Sequence, residues 1–287
     1  MKMLDKKIDF VAIISVKNAN PNGDPLNGNR PREDIRGYGE ISDVALKRKI
    51  RNRLMDIGES VFVQSDERNT DGYDSLSTRA ASTIKKYESR DDYANQACEK
   101  WIDVRSFGQV FAFKKRKIDG VEIKEVSVGV RGPVTIHPAF SVEPIAIEDI
   151  QITKSVNSEP SDKGKSSDTM GMKHRVNFGL YVTKGSINCQ LAEKTGFSKE
   201  DADKIHDALK TLFENDASAA RPEGSVNLEK LYWFEHGSKL GDYPTLKVHE
   251  SIQVSRKEDI QEANSIDDYE INVVPLEGLE PDVYSLR

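Results

Sequence analysis

Cysteine is nearly absent: Cys98 and Cys189 are the only two in 287 residues. Two are too few for a disulfide framework, and with no histidine near either in sequence both read as reduced small residues rather than nucleophiles. Long apolar runs are missing as well. The longest is Phe10 to Ile14, far short of the roughly 20 residues that cross a bilayer. Asp5 and Asp9 among the N-terminal lysines do not fit a signal peptide, so a cytoplasmic chain without membrane contact is expected. Hydrophobic residues make up only 37% and aromatics 7%, and the mean hydropathy is −0.61. For this length the core is thin, which predicts one domain with large solvated insertions, or one domain and a small satellite.

Catalytic signatures are also lacking. No Gly-x-Ser-x-Gly elbow and no phosphate-binding P-loop occurs. Gly37-Tyr38-Gly39 lacks the third glycine of a dinucleotide fingerprint and reads as a turn. His137, His174, His206, His236 and His249 are scattered, and neither cysteine has a partner at zinc spacing. Asn18, Asn20, Asn22 and Gly23 match the skeleton of a calcium loop, but with neutral amides and with Asn29 where a bidentate glutamate is needed. Neither a metal nor another cofactor is expected.

What is present is clustered charge. The formal charge is −6, yet nine acidic and no basic residues fall between Glu258 and Leu286, so the remaining chain is slightly basic. Arg30 to Arg53 holds eight basic and four acidic residues, and Arg105 to Arg131 seven and three, including Lys114, Lys115, Arg116 and Lys117. Screening limits a charge's reach to about 8 Å at physiological salt, so a distant acidic end does not exclude an anionic partner. The acidic end itself reads by default as a solvated tail.

The pattern along the chain is α+β. Asp9 to Lys17 is a buried strand that enters a loop of some twenty residues, Asn18 to Gly39, a length that is usually functional. Ser42 caps a helix whose core face is Leu46, Ile50, Leu54 and Ile57, with Lys47, Arg48, Lys49, Arg51 and Arg53 on its other faces. Val61 to Arg90 reads as a polar insertion, with one modest helix running up to Trp101. Val104 to Phe113 and Val121 to Val130 read as a long hairpin with a basic tip, and Lys154 to His174 as a mobile projecting loop. Arg175 to Cys189 is a strand with a Lys-Gly turn. Ser198 caps a second helix with Asp201, and Val226 to Glu235 and Leu246 to Val254 are further strands. The strand–helix opening echoed near residues 175–215 fits a ferredoxin-like core with large insertions.

Three segments together resemble a known family: Asn20-Pro21-Asn22-Gly23-Asp24-Pro25, the helix from Ser42 to Arg51, and Asp103-Val104-Arg105-Ser106-Phe107-Gly108. Arg175 to Gly179 with Tyr181, Thr195 to Ser198, and Ser218 to Arg221 extend the likeness over roughly residues 9–254. The chain resembles the backbone subunit of a type I CRISPR surveillance complex (Cascade), a RAMP superfamily protein, and is most similar to the subtype I-C form. The resemblance implies an RRM-like palm at residues 1–60, 103–153 (with the basic hairpin) and 175–257. It also implies a finger-like insertion at 61–102 and a thumb-like loop at 154–174, while the acidic C-terminal segment at 258–287 lies beyond the likeness. It further implies a non-enzymatic protein that lines up head-to-tail along the CRISPR RNA, beside other Cascade subunits, and displays the guide to a target DNA strand.

Holding any guide requires cations aimed at phosphates rather than base readout. On that footing the candidates are Asn18, Asn20 and Asn22 with Arg30 and Arg32 in the loop, and Lys47, Lys49 and Arg51 on the first helix, where Lys47 and Arg51 share a face. Arg105 follows, with Met170 as a wedge between bases beside Lys173 and His174, and Met172 as a second wedge. The alternative for Arg105 is a core-edge arginine paired with Asp103. Phe111 and Phe113 are expected in the core, and of Tyr232 and Trp233 one faces in and one out. The rival reading is a metal-dependent RNase of the same superfamily that cuts bound RNA through Asp24.

Overall fold

The computed structural model describes residues 2–118, 121–153 and 170–287. The chain enters through β1 (Ile8–Ala19), passes two short loop strands, β2 (Gly23–Asp24) and β3 (Arg30–Pro31), then β4 (Tyr38–Ile41) and helix α1 (Asp43–Asp56). A helical insertion follows, α2 (Leu76–Thr83), α3 (Arg90–Lys100) and α4 (Ile102–Phe107), and then the strands β5 (Gln109–Phe113), β6 (Arg116–Ile118), β7 (Val121–Ile123) and β8 (Val126–Val130). Next come β9 (Val134–Ile136), β10 (Ala139–Pro144), β11 (Ile147–Thr153) and the long β12 (Met170–Ile187). The chain closes with α5 (Cys189–Thr195), α6 (Lys199–Lys210), β13 (Val226–Glu235), α7 (Thr245–Glu250), β14 (Ile252–Arg256), β15 (Tyr269–Val273) and β16 (Asp282–Ser285).

The central sheet is antiparallel in the order β16-β13-β1-β12-β10-β4, with β9 and β11 also pairing β12. β1 is buried on both faces, which is why it reads as a continuous apolar run rather than an alternation. Phe10, Ala12, Ile14 and Val16 point to one side, where Leu46, Ile50 and Leu54 of α1 and Ile205 and Leu209 of α6 cover them. Val11 and Ile13 point to the other, under Val248 of α7, Ile252 of β14 and Tyr269 of β15. Ser42 caps α1 by accepting from the Ala45 N–H, and Ser198 and Asp201 form a reciprocal capping box on α6. Ile57, expected on the core face of α1, is instead half-exposed at its C-terminal cap.

Several expectations are corrected by the double-sided burial of the sheet. Tyr232 and Trp233 do face opposite ways, but both are buried, one in each layer. The acidic C-terminal segment is not a tail. β15 pairs β14, β16 pairs β13, and Leu276 and Leu279 are buried in the second layer. Its acids are outward residues of a folded segment whose few apolar side chains are its anchors. Lys184 and Gly185 make no turn: they lie inside β12, and a Cβ at Gly185 would come within 2.1 Å of the Phe10 ring. There the glycine is a slot for a core aromatic rather than a bend.

The insertion has its own core. Phe62, Tyr93, Trp101 and Phe111 cluster with Val104, Val126 and Val128, so the β5–β8 hairpin packs on the helices and does not join the central sheet. Val104 to Phe107, expected as strand, is the end of α4. Gly108, at φ 80°, stops that helix, and a side chain there would meet the Val130 carbonyl at 2.4 Å. Met170 to His174, expected in a mobile loop, form the first part of β12 in register with β11. Residues 154–169 of that expected loop lie outside the described residues.

Candidate nucleic-acid interface

β1 leaves the sheet at Asn18, an exposed residue in the left-handed region at φ 53° that asparagine tolerates. Asn20 is buried. Its Nδ2 donates to the Asn29 carbonyl at 2.7 Å and its backbone N–H to the Ala220 carbonyl at 2.9 Å. Asn22 Oδ1 accepts from the Ser42 N–H at 2.9 Å, tying the loop to the first turn of α1. These two amides therefore fix the loop's shape, whereas Asn18 is exposed to solvent. Asp24 caps a short turn by accepting from the Leu26 N–H at 3.1 Å, and Arg32 stands 3.6 Å from it. Leu26 and Ile35, on the outer bends of the loop, are fully exposed.

Arg30 does not point into open solvent. Its guanidinium bonds both carboxylate oxygens of Asp149 on β11, and His174 Nδ1 lies 2.7 Å from the same carboxylate. Arg30 first, and then His174, hold the Asp149 carboxyl below the usual carboxylate range. The register pairs Asp149 with His174 and, one residue along, Glu148 with Arg175, whose guanidinium bonds Glu148 at 2.7 and 2.9 Å. Beyond them Met170 and Met172 are each 54% exposed, and Lys173 is half-buried opposite Ile150.

Helix α1 departs from expectation. Lys49 is 6% exposed, bonded to Asp216 and close over the Phe213 ring, and burial pulls its pKa down. Arg51 donates to Asp103, a carboxylate that also accepts the N–H groups of Phe62 and Val63 at 2.7 and 3.1 Å. Arg48, half-buried, donates to the Val63 carbonyl at 2.6 Å. Lys47 stays near the surface, paired with Asp43 one turn earlier at 2.9 Å. Lys49 and Arg51, expected to meet phosphates, are thus internal ion pairs that lash α1 to the 211–221 segment and to the insertion. A buried cation needs such a partner because its desolvation is otherwise uncompensated.

Arg105 is corrected twice. It is a closed internal contact, and its partner is Asp201 at 2.7 and 2.9 Å rather than Asp103. Burial opposes the Asp201 charge, yet the Arg105 guanidinium and the Ser198 N–H keep that carboxyl below its ordinary range. Among the candidates, then, the fold brings together Arg30 and His174 at the foot of the β11–β12 hairpin, with Arg32 on the same loop. Lys49, Arg51 and Arg105 face inward. Asp149 was missed, because its place is fixed by strand register across residues that read as a loop. Among the described residues, no group of three His, Cys, Asp or Glu could hold a metal ion, and no helix is long and apolar enough to cross a membrane.

Comparison with known proteins bears on this geometry. One relative is the CRISPR-associated protein Cas7 of Haloferax volcanii, 26% identical over 251 residues, which are 84% of this chain and 68% of the relative. Among solved structures, a chain of a CRISPR RNA-guided surveillance complex in a pre-nicking state aligns at 14% identity and a TM-score of 0.49, over 83% of this chain and 79% of that one. A chain of another CRISPR RNA-guided surveillance complex aligns at 17% identity and a TM-score of 0.43, over 83% and 71%. The family described as CRISPR-associated protein Cas7 matches residues 6–274, from the start of the central sheet through β15. The chain belongs to the Cas7 family of CRISPR-associated proteins.

Proposed function

We propose that this chain is the CRISPR RNA-binding backbone subunit of a type I-C surveillance complex, repeating head-to-tail along the guide and leaving its bases free to pair with a target DNA strand. Family membership supports the role, and the segments from Asn20 to Pro25, Ser42 to Arg51 and Asp103 to Gly108 support the subtype. The order β13-β1-β12-β10, with α1 and α6 on one face, supports a ferredoxin-like palm. One observation carries the reading: the N-terminal loop and the β11–β12 hairpin converge, through Arg30 and His174, on a single anion position at the protein surface. Donors held in place by a folded loop and a strand can grip a sugar-phosphate backbone without reading sequence, as a protein serving any guide must.

The RNA-contacting set proposed is accordingly Asn18, Arg30, Arg32, Lys47, Lys173 and His174, with Met170 and Met172 against the bases. Asn20 and Asn22 act beneath them as the braces of the loop. The nuclease alternative is not adopted, since Asp24 serves as a turn cap facing Arg32.

The test is purification without nuclease, followed by the absorbance ratio, the size-exclusion mass and sequencing of any nucleic acid retained. A multimer carrying small RNA is expected. A monomer that binds no single-stranded RNA even at low salt overturns the reading.

A further inference from the structure

Resting on the RNA-binding reading above, we infer that Asp149 is a built-in competitor at that site: its carboxylate stands where a phosphodiester of the bound strand goes, and binding replaces it. Arg30 and Asp149 are 119 residues apart in sequence, and Arg30 and His174 come from different segments, yet both donors close on this one carboxylate. A guanidinium and an imidazole converging on one oxyanion satisfy a phosphate oxygen as well as a carboxylate oxygen. Asp149 is also free to leave. Its side chain is 43% exposed, and among the described residues Arg30 and His174 are its only hydrogen-bond partners.

The neighbouring pair behaves differently. Glu148 and Arg175 face each other directly across β11 and β12, on the opposite side of the hairpin from Asp149 and His174, and involve no residue of the loop. Of these two acids, only Asp149 connects loop to hairpin. When a phosphate displaces it, Arg30 and His174 keep their positions while an unpaired carboxylate remains beside the ligand. That repulsion sets the affinity below what the two donors alone would give.

The experiment uses the full chain, freed of nucleic acid, and a fluorescein-labelled oligouridine read by anisotropy near 0.1 M salt. Asp149→Asn is expected to tighten binding by about 3- to 5-fold, the scale of one exposed ion pair. Glu148→Gln is expected to leave it unchanged, and Arg30→Gln to weaken it. Unchanged or weaker binding by Asp149→Asn overturns the inference and makes Asp149 a positioning residue, and an equal gain in Glu148→Gln overturns it as a general charge effect. If no variant binds oligouridine, the RNA reading itself fails, and pyrophosphate decides the inference. Pyrophosphate should then shift the His174 ring resonances at lower concentration in Asp149→Asn than in the parent, and no shift in either refutes it.

Discussion

Replacing Arg51 by methionine separates two roles that its position on α1 leaves open. The stem length is kept and the charge removed. In the structure the Arg51 side chain is 12% exposed, and its guanidinium donates to Asp103 at 2.9 Å and lies over the Phe107 ring at 5.2 Å. Asp103, 1% exposed, would keep the two N–H donors of Phe62 and Val63 but lose its ion pair with Arg51. Breaking one side of a buried pair costs about 3–5 kcal/mol, and the slight exposure of Arg51 together with the retained donors places this case near 3. With a urea slope of about 3 kcal/mol/M for a chain of this size, the unfolding midpoint should fall by about 1 M at an unchanged slope. RNA affinity of the folded fraction should stay within about twofold. A midpoint shift under about 0.3 M together with a large loss of RNA affinity would refute the reasoning, because it would show a guanidinium available to phosphates. Lys47→Met is the complement: its pair with Asp43 is a surface i, i+4 contact worth at most about 1 kcal/mol, so stability should barely move while RNA affinity falls.

Three further outcomes are expected. Burial first of all holds the His206 and His249 imidazoles below the ordinary histidine value, so the fold keeps them neutral while the unfolded chain protonates them near pH 6.5. Their contribution is complete above about pH 6.5 and is lost as pH falls toward the folded-state value. His249→Gln should therefore flatten the decline of urea midpoints between pH 7 and 5, and an unchanged slope would discard that account. Gly185→Ala should lower stability by about 1–3 kcal/mol in thermal melts, since its methyl would meet the Phe10 ring at 2.1 Å and the Thr135 carbonyl at 2.6 Å, and Phe10→Leu should restore part of the loss. Burial pushes both thiols, Cys98 and Cys189, up to about 11. A thiol reagent at pH 7.5 should titrate neither in the native protein and both in denaturant.

Most of the central sheet was legible because its strands and helices carry strong local patterns. Phe10 to Ile14 is unbroken, Leu46, Ile50 and Leu54 repeat every four residues, and Ser198 with Asp201 makes a cap that needs no tertiary context. The pairing of β11 with β12 was not, because Ser and Lys dominate the sequence leading into Met170 and nothing local says that strand pairing resumes there. The helix ending at Phe107 was hidden by Val104 and Phe107, which suit a strand as well, and only the positive φ of Gly108 decides the matter. Cationic side chains were the least legible. A sequence shows that Lys49, Arg51 and Arg105 are basic, but their partners Asp216, Asp103 and Asp201 lie 167, 52 and 96 residues away.

Those distant partners also change what the net charge means. A total of −6 speaks against a polyanion only if cations and anions are spread evenly over the same surface. Here Asp103, Asp201 and Asp216 are used up inside, each against a cation that is no more available for binding than its acid is for repulsion. The acids after Glu258 ride on β15, β16 and their connections: β15 lies in the layer under α7, while Asp282 on β16 stands 3.8 Å from His206 of α6. Among the described residues, the N-terminal loop and the β11–β12 hairpin bring Arg30, Arg32 and His174 to one end of the fold, with Asp24, Glu33 and Asp149 set among them. The carboxylates at that end limit the field without abolishing it, so the grip on a guide should depend steeply on salt and be formed from a few contacts per subunit, repeated along the strand.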